Sequence, residues 1–269
     1  MAIPNIILTI IKPARQLKHW SYCTARYLTT LFAYKNFKRK HEAFCYSIPI
    51  IINNRNRLTY LKRLISSLEN KGYKNLYIID NDSDYPPLLA YYEIAPYKVY
   101  RLNKNAGYCA IWETNIINDF KDGYYVYTDS DLEIIDKCPD DFMTFFYFLL
   151  HKYKQIGKAG FGLKTDDLPN SYAFKNKVVN WEASVLRKGR RLEKYAIKAQ
   201  IDTTFALYRK GCFGPASAME AIRTTYPFVV KHLPWYEDTD NLNEEQTYYY
   251  NSTLTSSHWS KAVKNHLNI

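Results

Sequence analysis

The sequence lacks the glycine-rich loops that hold phosphate groups in many nucleotide-binding enzymes. Only 9 of its 269 residues are glycine, and neither Gly-x-x-x-x-Gly-Lys nor Gly-x-Gly-x-x-Gly occurs. Both patterns place backbone N–H groups at a helix N-terminus, where they bind phosphate. Their absence argues against a P-loop enzyme and against a dinucleotide-dependent dehydrogenase. A bound diphosphate would therefore need another partner, such as a metal ion.

Cysteine pairs and long apolar runs are also missing. The five cysteines are scattered, and no Cys-x-x-Cys pair is present. This spacing predicts neither a disulfide framework nor a zinc site, so we expect a reducing, cytoplasmic compartment. Residues 2–11 are apolar, but about 20 apolar residues are needed to span a bilayer. No signal-peptide pattern surrounds this run.

Acidic residues are absent from positions 1–41, which hold eight Lys or Arg. These account for 8 of the net charge of +11, so the other 228 residues carry only +3. We expect residues 1–46 to form a basic helical extension from a nearly neutral body. Residues 14–35 are typical of a helix on an anionic membrane and equally of a helix packed on the body. A transit peptide has a similar composition and is a minor third alternative. A net positive charge that lies mainly in an extension, rather than across a folded face, does not suggest a nucleic-acid partner.

The rest of the chain alternates β-favouring runs with helical patterns. Runs rich in β-branched and aromatic residues lie at 48–52, 75–79, 98–102 and 124–127. Helical patterns lie between them, at 58–68, after Pro86 and at 110–120. This alternation predicts an α/β fold with a mostly parallel central sheet flanked by helices.

Each of the four β-favouring runs is followed by polar side chains. They are Asn54 and Arg55; Asp80, Asn81 and Ser83; Asn103 and Asn105; Asp129 and Asp131. Ligands of parallel sheets bind at the carboxyl ends of the strands. We therefore expect these four clusters to contribute to one binding site.

Asp129 and Asp131 are the most informative of these residues. Side chains two positions apart on an extended segment point the same way, and close carboxylates repel unless a cation or proton lies between them. Oxygen ligands suit Mg²⁺ or Mn²⁺, which often bridge to substrate phosphates. The pair predicts a divalent metal that holds a diphosphate, although an acidic turn after a strand has the same pattern.

Taken in order, these motifs resemble the nucleotide-sugar half of a GT-A (nucleotide-diphospho-sugar transferase) glycosyltransferase, broadly like the family 2 enzymes. The resemblance covers residues 48–136 and rests on Ile50–Arg55, Ile78–Ser83, Asn103–Gly107 and Asp129–Asp131. It implies that Asp80 contacts the nucleoside and that Asp129 and Asp131 bind the metal and diphosphate. The predicted donor-binding residues are Asn54, Arg55, Asp80, Asn81, Asn103, Asn105 and Ser130.

The second half of the chain resembles a bacterial subfamily of predicted glycosyltransferases. The matching stretches are Cys138–Asp141, Lys158–Pro169, Trp181–Glu182, Ile201–Tyr208 and His232–Asp238. We expect residues 47–136 to be the nucleotide-sugar half of one domain and residues 137–269 its acceptor half with a C-terminal tail. Acceptor contacts are expected from Trp181, Glu182, Trp235, Asp166 and Asp167.

Transfer to an acceptor hydroxyl requires a carboxylate base if the reaction inverts the anomeric centre. The resemblance implies that Glu237 and Asp238 match a Glu-Asp pair with this role; Asp238 is the first candidate and Asp202 the second. Some GT-A enzymes complete the metal shell with a late histidine. His232 would then join Asp129 and Asp131 and favour Mn²⁺, although a lone histidine is often structural.

These observations predict a metal-dependent, hexosyltransferase-like enzyme. It would move a sugar from a nucleotide-diphosphate donor, UDP-linked, to a glycan or lipid-linked glycan in surface polysaccharide synthesis, at the inner face of the membrane. One alternative is a sugar-phosphate nucleotidyltransferase, which usually has a glycine-rich loop after the first strand; residues 53–57 lack glycine. The other is a non-catalytic, membrane-associated binding module.

Overall fold

The protein was analysed as a computed structural model that describes residues 30, 32–214, 218–252 and 258–267. The chain divides into two compact units between Glu42 and Ala43. In the first unit the described residues are helical. Most of the predicted membrane-binding segment, 14–35, and of the basic region 1–41 lies outside the described residues. Within the described residues, no helix is both long and apolar enough to cross a bilayer.

The second unit combines a large sheet, a small sheet and helices. Its strands are β1 (Ile50–Asn54), β2 (Leu76–Asp80), β3 (Lys98–Arg101), β4 (Tyr125–Asp129), β5 (Leu132–Ile134), β6 (Lys158–Gly160), β7 (Gly162–Leu163), β8 (Arg190–Glu193), β9 (Ala196–Lys198), β10 (Ala206–Tyr208), β11 (Ala221–Thr224) and β12 (Val229–His232). Its α-helices are α1 (Leu58–Glu69), α2 (Pro86–Ile94), α3 (Ala110–Glu113), α4 (Phe142–Lys152), α5 (Lys175–Lys188), α6 (Glu244–Ser252) and α7 (His258–Leu267).

The large sheet has the strand order β3-β2-β1-β4-β10-β6-β11-β9-β8. The first four strands pair in parallel, because helices or helical turns cross over between them. Strand β10 then runs antiparallel to both β4 and β6. The predicted α/β class, with a central sheet flanked by helices, is confirmed, and the parallel pairing belongs mainly to the first four strands.

Apolar side chains at the expected positions build the core around this sheet. Ile50, Ile51 and Ile52 of β1 are fully buried, as expected for a central strand covered on both faces. Helix α1 buries its stripe of Tyr60, Leu61, Leu64, Ile65 and Leu68, which has the spacing of one helical face. The helix predicted at 58–68 is therefore present.

The helix predicted at 110–120 differs in the structure, and the glycine-containing run 157–163 is shared between the two sheets. Residues 110–120 form the short α3 and a 3₁₀ helix, Asn115–Asp119, because extended Thr114 interrupts the helix. Its hydroxyl donates to the Ala110 carbonyl at 2.8 Å, which competes with regular helical bonding. The run 157–163 divides into β6 in the large sheet and β7 in the small one.

The small sheet has the order β5-β12-β7 and follows directly from the acidic pair. Strand β12 runs antiparallel to β5, with His232 opposite Leu132. The backbone N–H of Leu233 donates to the Asp131 carbonyl at 2.8 Å. This pairing brings the predicted histidine beside the second aspartate, although about 100 residues separate them in the sequence.

Candidate active site

The carboxyl ends of the four parallel strands form one polar edge. The register places Asn54 beside Asp80, and Asp80 beside Arg101. On the other side of β1, Asn53 lies beside Asp129. The clusters that follow β1, β2 and β4 in the sequence are therefore neighbours in space.

Asp80 is held at this edge by a cation that the sequence did not suggest. Its carboxylate is 1% exposed and lies 2.8 Å from Nε of Arg101. Burial raises the pKa of Asp80, while a hydrogen bond from Ser83 and the charge of Arg101 oppose the shift. The neighbouring Asn54 donates from Nδ2 to the Tyr92 hydroxyl at 2.8 Å. Arg101 thus compensates the one carboxylate expected to face a nucleoside.

The asparagines at this edge order the loop after β3. Asn81 accepts from the Ala106 N–H at 2.7 Å and donates to the Gly107 carbonyl at 2.8 Å. Asn105 accepts from the Gly107 N–H at 2.8 Å, and Asn53 donates to the Gly107 carbonyl at 3.2 Å. Asn103 is exposed on the same loop. Asn81 and Asn105 therefore act on the backbone of the loop.

The turn after β1 is tied to the C-terminal part of the chain. Arg55 donates to the Ser252 carbonyl at 3.0 Å. Asn56 is fully buried with a positive φ of 50°, and its amide bonds the Asp84 carboxylate at 2.7 Å and the Ser252 hydroxyl at 3.0 Å. Helix α6 is thereby held against the β1 edge.

The first aspartate of the acidic pair has a tight hydroxyl partner. Thr203 donates to Oδ2 of Asp129 at 2.6 Å, and the Asp129 N–H donates to the Thr203 carbonyl at 3.2 Å. Burial raises the pKa of Asp129 well above its usual range, and the charges of Asp131 and Asp202 raise it further against the Thr203 bond. Ser130, between the pair, is 4% exposed. The negative charges of Asp129, Asp131 and Asp202 therefore act on one another, and a bound cation would relieve their repulsion.

The second aspartate faces His232. Nε2 of His232 lies 3.6 Å from Oδ2 of Asp131, and each side chain is 19% exposed. Within the described part of the chain, Oδ1 of Asp131 and Nδ1 of His232 are buried without a hydrogen-bond partner. Burial lowers the pKa of His232, although Asp131 opposes this shift. The imidazole is therefore neutral at pH 7, which is the form that binds a metal.

The donor set of Asp129, Asp131 and His232 fits a divalent cation in chemistry, but the three side chains are not gathered around one point. Among the described residues, no group of three His, Cys, Asp or Glu side chains is close enough to hold a metal. Asp131 and His232 would supply adjacent oxygen and nitrogen ligands. Since Mg²⁺ and Mn²⁺ commonly keep waters and bind substrate phosphates, the remaining ligands would come with the donor.

Asp202 lies next to this acidic region and is exposed. It immediately precedes Thr203, which bonds Asp129. Its carbonyl accepts from Nζ of Lys158 at 3.3 Å, and the same ammonium donates to the Tyr208 hydroxyl at 3.1 Å. Lys158 is fully buried, and burial lowers its pKa to about 8. Lys158 lies within strand β6, and its burial was not predicted from the sequence.

Glu237 and Asp238 have opposite environments. Glu237 is 4% exposed; it accepts from Arg57 at 3.2 Å and Tyr60 at 2.6 Å on Oε1, and from Tyr250 at 2.7 Å on Oε2. Asp238 is exposed. Both oxygens of Glu237 are therefore engaged, whereas Asp238 is accessible to solvent.

The predicted acceptor residues do not form one surface. Trp181 is 62% exposed, whereas Glu182 and Trp235 are buried. Glu182 pairs with Arg223, and Trp235 packs in a core cluster with its ring centre 4.6 Å from that of His232.

Asp166 and Asp167 are exposed and both pair with Lys164. Asp167 also accepts from the Tyr236 hydroxyl at 2.6 Å. The loop that carries the two acids is thereby attached to the turn after His232. These acids are open to solvent and suit contacts with a polar ligand better than the buried tryptophan does.

Comparisons with known proteins give likenesses of overall structure. No family model matches the chain, and no curated protein matches it either. The structure of TarS (residues 1–349) from S. aureus has 11% identity and a TM-score of 0.43, over 81% of this chain and 69% of that one.

A structure of GalNAc-T7 with UDP, GalNAc and Mn²⁺ has 10% identity and a TM-score of 0.44, over 82% of this chain and 54% of that one. The CMP:2-keto-3-deoxy-manno-octonic acid synthetase complexed with CTP has 9% identity and a TM-score of 0.36, over 82% of this chain and 83% of that one.

Proposed function

We propose that the protein is a metal-dependent glycosyltransferase that moves a sugar from a nucleotide-diphosphate donor, UDP-linked, to a hydroxyl of a glycan or lipid-linked glycan. The main support is the pairing of Asp131 with neutral His232, 3.6 Å apart, beside the partly buried Asp129. This group lies at the carboxyl edge of the parallel strands, where ligands of α/β sheets bind. Asp131 and His232 would supply two adjacent ligands for a cation, and the close acids Asp129, Asp131 and Asp202 give the site a reason to need one.

Asp129, Asp131 and His232 would hold Mn²⁺ or Mg²⁺ together with the donor diphosphate. The bound cation supplies Lewis acidity that stabilises the leaving diphosphate. Asn54 and Asp80 lie one and two strands away from Asp129 on the same edge, which suits them to the nucleoside. Since Asn81 and Asn105 order the loop after β3, their part in donor binding is to position the backbone of that loop.

We propose Asp202, the second candidate from the sequence, as the general base in place of Asp238. Its carboxylate is exposed, and its charge acts on both Asp129 and His232. Asp238 is the second candidate because it is also accessible. Glu237 is engaged by Arg57, Tyr60 and Tyr250, so its part is to position these groups.

The metal site is tested by calorimetry of UDP binding in the presence of Mn²⁺. We expect Asp129→Asn and Asp131→Asn each to weaken UDP binding by at least about 10-fold, the lower end for disturbed metal sites. Asp122→Asn is a matched control, because Asp122 is an exposed acid of the same unit. Unchanged affinity in both site variants would show that the metal assignment is wrong.

The reaction is tested by incubating the enzyme with a panel of nucleotide sugars and following the products. Release of the nucleoside diphosphate supports glycosyl transfer, whereas release of pyrophosphate from a sugar phosphate and a nucleoside triphosphate supports the nucleotidyltransferase alternative. Asp202→Asn should lower kcat by about 100-fold or more while UDP–Mn²⁺ affinity is kept. Asp238→Asn is the comparison; a larger effect of this variant would reverse the two roles.

The proposed setting is the cytoplasmic face of a membrane, where lipid-linked glycans of a surface polysaccharide are extended. The eight cations of residues 1–41, with no acid among them, support attraction to anionic lipids, which is worth about 1 kcal/mol per cation near the surface. A binding module without catalysis would bind UDP and membranes but turn over no donor.

A further inference from the structure

Helix α5 and the strand that follows it carry an unbalanced positive charge. Residues 175–191 contain six Lys or Arg and a single acid, Glu182. Glu182 is 4% exposed and pairs with the buried Arg223. The one negative charge is therefore directed into the protein, and the solvent side of this segment is basic.

The exposed side of α5 also carries a large aromatic side chain. Lys177, Trp181 and Lys188 occupy positions i, i+4 and i+11, which lie on one side of a helix. All three are exposed, and Trp181 is 62% exposed. Val178 and Glu182 lie on the buried side of the same helix. The cations thus flank an indole that faces solvent.

Exposed cations continue past the end of the helix. Arg187, Arg190 and Arg191 are exposed as well. Within the part of the chain that the structure describes, no cation of this group pairs with a carboxylate, and Arg191 donates to the Lys194 carbonyl at 2.8 Å. We call the set of Lys177, Trp181, Arg187, Lys188, Arg190 and Arg191 the α5 basic face.

We propose that the α5 basic face binds the surface of an anionic lipid bilayer. Clusters of four to eight cations on an amphipathic helix bind anionic headgroups, and a tryptophan is favoured at the headgroup level because its ring is apolar and its N–H is polar. A soluble polyanion would satisfy the cations but would leave the apolar ring of Trp181 in water. The combination of charge and indole therefore favours a lipid surface.

This surface is separate from residues 1–41 and belongs to the unit that carries the candidate site. The buried side of α5 packs Val178 into the cluster that contains Trp235, whose ring lies against that of His232 in a tilted arrangement. Binding through α5 would hold the candidate site close to the bilayer. This consequence, unlike the lipid binding itself, rests on the proposed function, because it concerns access of a lipid-linked acceptor.

Vesicle binding by the full chain tests the proposal. The probes are phosphatidylcholine vesicles with and without phosphatidylglycerol, and the variants are Arg187→Gln/Lys188→Gln and the control Lys74→Gln/Lys210→Gln, which removes two exposed lysines elsewhere. At about 1 kcal/mol per cation, each neutralised residue lowers affinity about 5-fold. We expect about a 25-fold loss for the α5 variant on anionic vesicles and much less for the control. Equal losses in the two variants would overturn the proposal.

Tryptophan fluorescence gives a readout specific to the indole. In the full chain carrying Trp20→Phe, which removes the tryptophan of residues 1–41, anionic vesicles should shift the emission to shorter wavelength. Adding Trp181→Phe should remove most of that shift while leaving the unfolding transition unchanged. A shift that persists in Trp181→Phe would place another tryptophan at the lipid and overturn the proposal. The proposal would also be overturned if the α5 variant lost binding to soluble polyphosphate but bound vesicles as the wild type does. That result would show that the α5 basic face binds a soluble polyanion and not a lipid surface.

Discussion

Lys158 is a fully buried lysine whose pKa is lowered by burial from its usual 10.5 to about 8. Below pH 8 both the folded and the unfolded chain carry its proton, and the folded state bears the cost of burying the charge. Between about pH 8 and 10.5 the unfolded chain binds more protons at this site, so its contribution to the free energy of unfolding rises with pH. The rise is on the order of 3 kcal/mol.

Replacing Lys158 with Met should remove this rise. The test is urea unfolding of both proteins at several pH values between 7.5 and 10.5. The difference between their free energies of unfolding isolates the lysine, because the titration of the tyrosines is common to both proteins. We expect the free energy of unfolding of Lys158→Met, relative to wild type, to fall by about 3 kcal/mol over this range. Parallel pH profiles would mean that the lysine is solvated in solution.

Glu237 and Asp238 are neighbours in sequence with opposite expected effects on stability. Glu237→Gln leaves the guanidinium of Arg57, which is 4% exposed, without its carboxylate partner. Breaking a buried pair typically costs about 3–5 kcal/mol, although the Tyr249 ring, 3.6 Å from Arg57, retains part of the interaction. We expect a loss of about 3 kcal/mol in urea unfolding.

Asp238→Asn is the matched control, with an expected change within about 0.5 kcal/mol because the side chain is exposed. Comparable losses in the two variants would contradict the buried network. A stable Asp238→Asn protein can also be assayed, so the same variant serves to compare the two base candidates.

Some residues of this candidate site could be predicted from the sequence, and others could not. Asp129 and Asp131 could be found because a β-favouring run and two acids are adjacent in the chain. This reasoning could not find Thr203, whose hydroxyl bonds Asp129, or the buried Lys158. Arg57 and Glu237 are 180 residues apart, and only the folded chain shows that one neutralises the other.

The loop after β3 is held by a set of short hydrogen bonds from asparagine side chains. Asn81→Ala removes bonds to the Ala106 N–H and the Gly107 carbonyl, each worth about 1 kcal/mol. We expect about 2 kcal/mol of local destabilisation, seen as faster amide hydrogen exchange at residues 105–109, together with weaker UDP binding.

Asn103→Ala is the corresponding control, since Asn103 is exposed on the same loop. It should leave amide exchange unchanged, and any loss of UDP affinity in this variant would mark a direct contact with the donor. Slow exchange at residues 105–109 in Asn81→Ala would show that other contacts hold the loop.

Element boundaries were predicted well where one residue type dominates and poorly where tertiary contacts decide. The leucine spacing of α1 and the isoleucines of β1 gave the correct elements. The division between β6 and β7 depends on the close approach of the Gly160 backbone to the Phe205 backbone. A Cβ at Gly160 would lie 2.2 Å from the Phe205 carbonyl oxygen. A run of apolar residues and glycines does not show that its two ends belong to different sheets.

The arrangement of the sheet shows the same limit over longer distances. Alternating strands and helices predicted the parallel order around β1, since each connection is local and right-handed crossovers leave few arrangements. The insertion of β10 between β4 and β6 joins segments about 50 to 80 residues apart. No local pattern specifies that pairing, so the antiparallel half of the sheet was not predicted.

The division of the chain between Glu42 and Ala43 predicts that residues 43–269 fold without the preceding segment. Within the described part of the chain, the buried apolar core begins at Cys45. A chain that starts at residue 43 should therefore keep a single cooperative unfolding transition and the UDP–Mn²⁺ affinity of the full protein. Its absolute affinity for anionic vesicles should fall, because the eight cations of residues 1–41 no longer attract the surface.

The contribution of the α5 basic face should survive this truncation. In the shortened chain, Arg187→Gln/Lys188→Gln should still weaken vesicle binding by about 25-fold relative to its own parent. Truncation and substitution remove different residues, and independent contributions to the binding free energy should add. Complete loss of vesicle binding on truncation would assign all lipid contact to residues 1–41, whereas unchanged binding would remove any role for that segment.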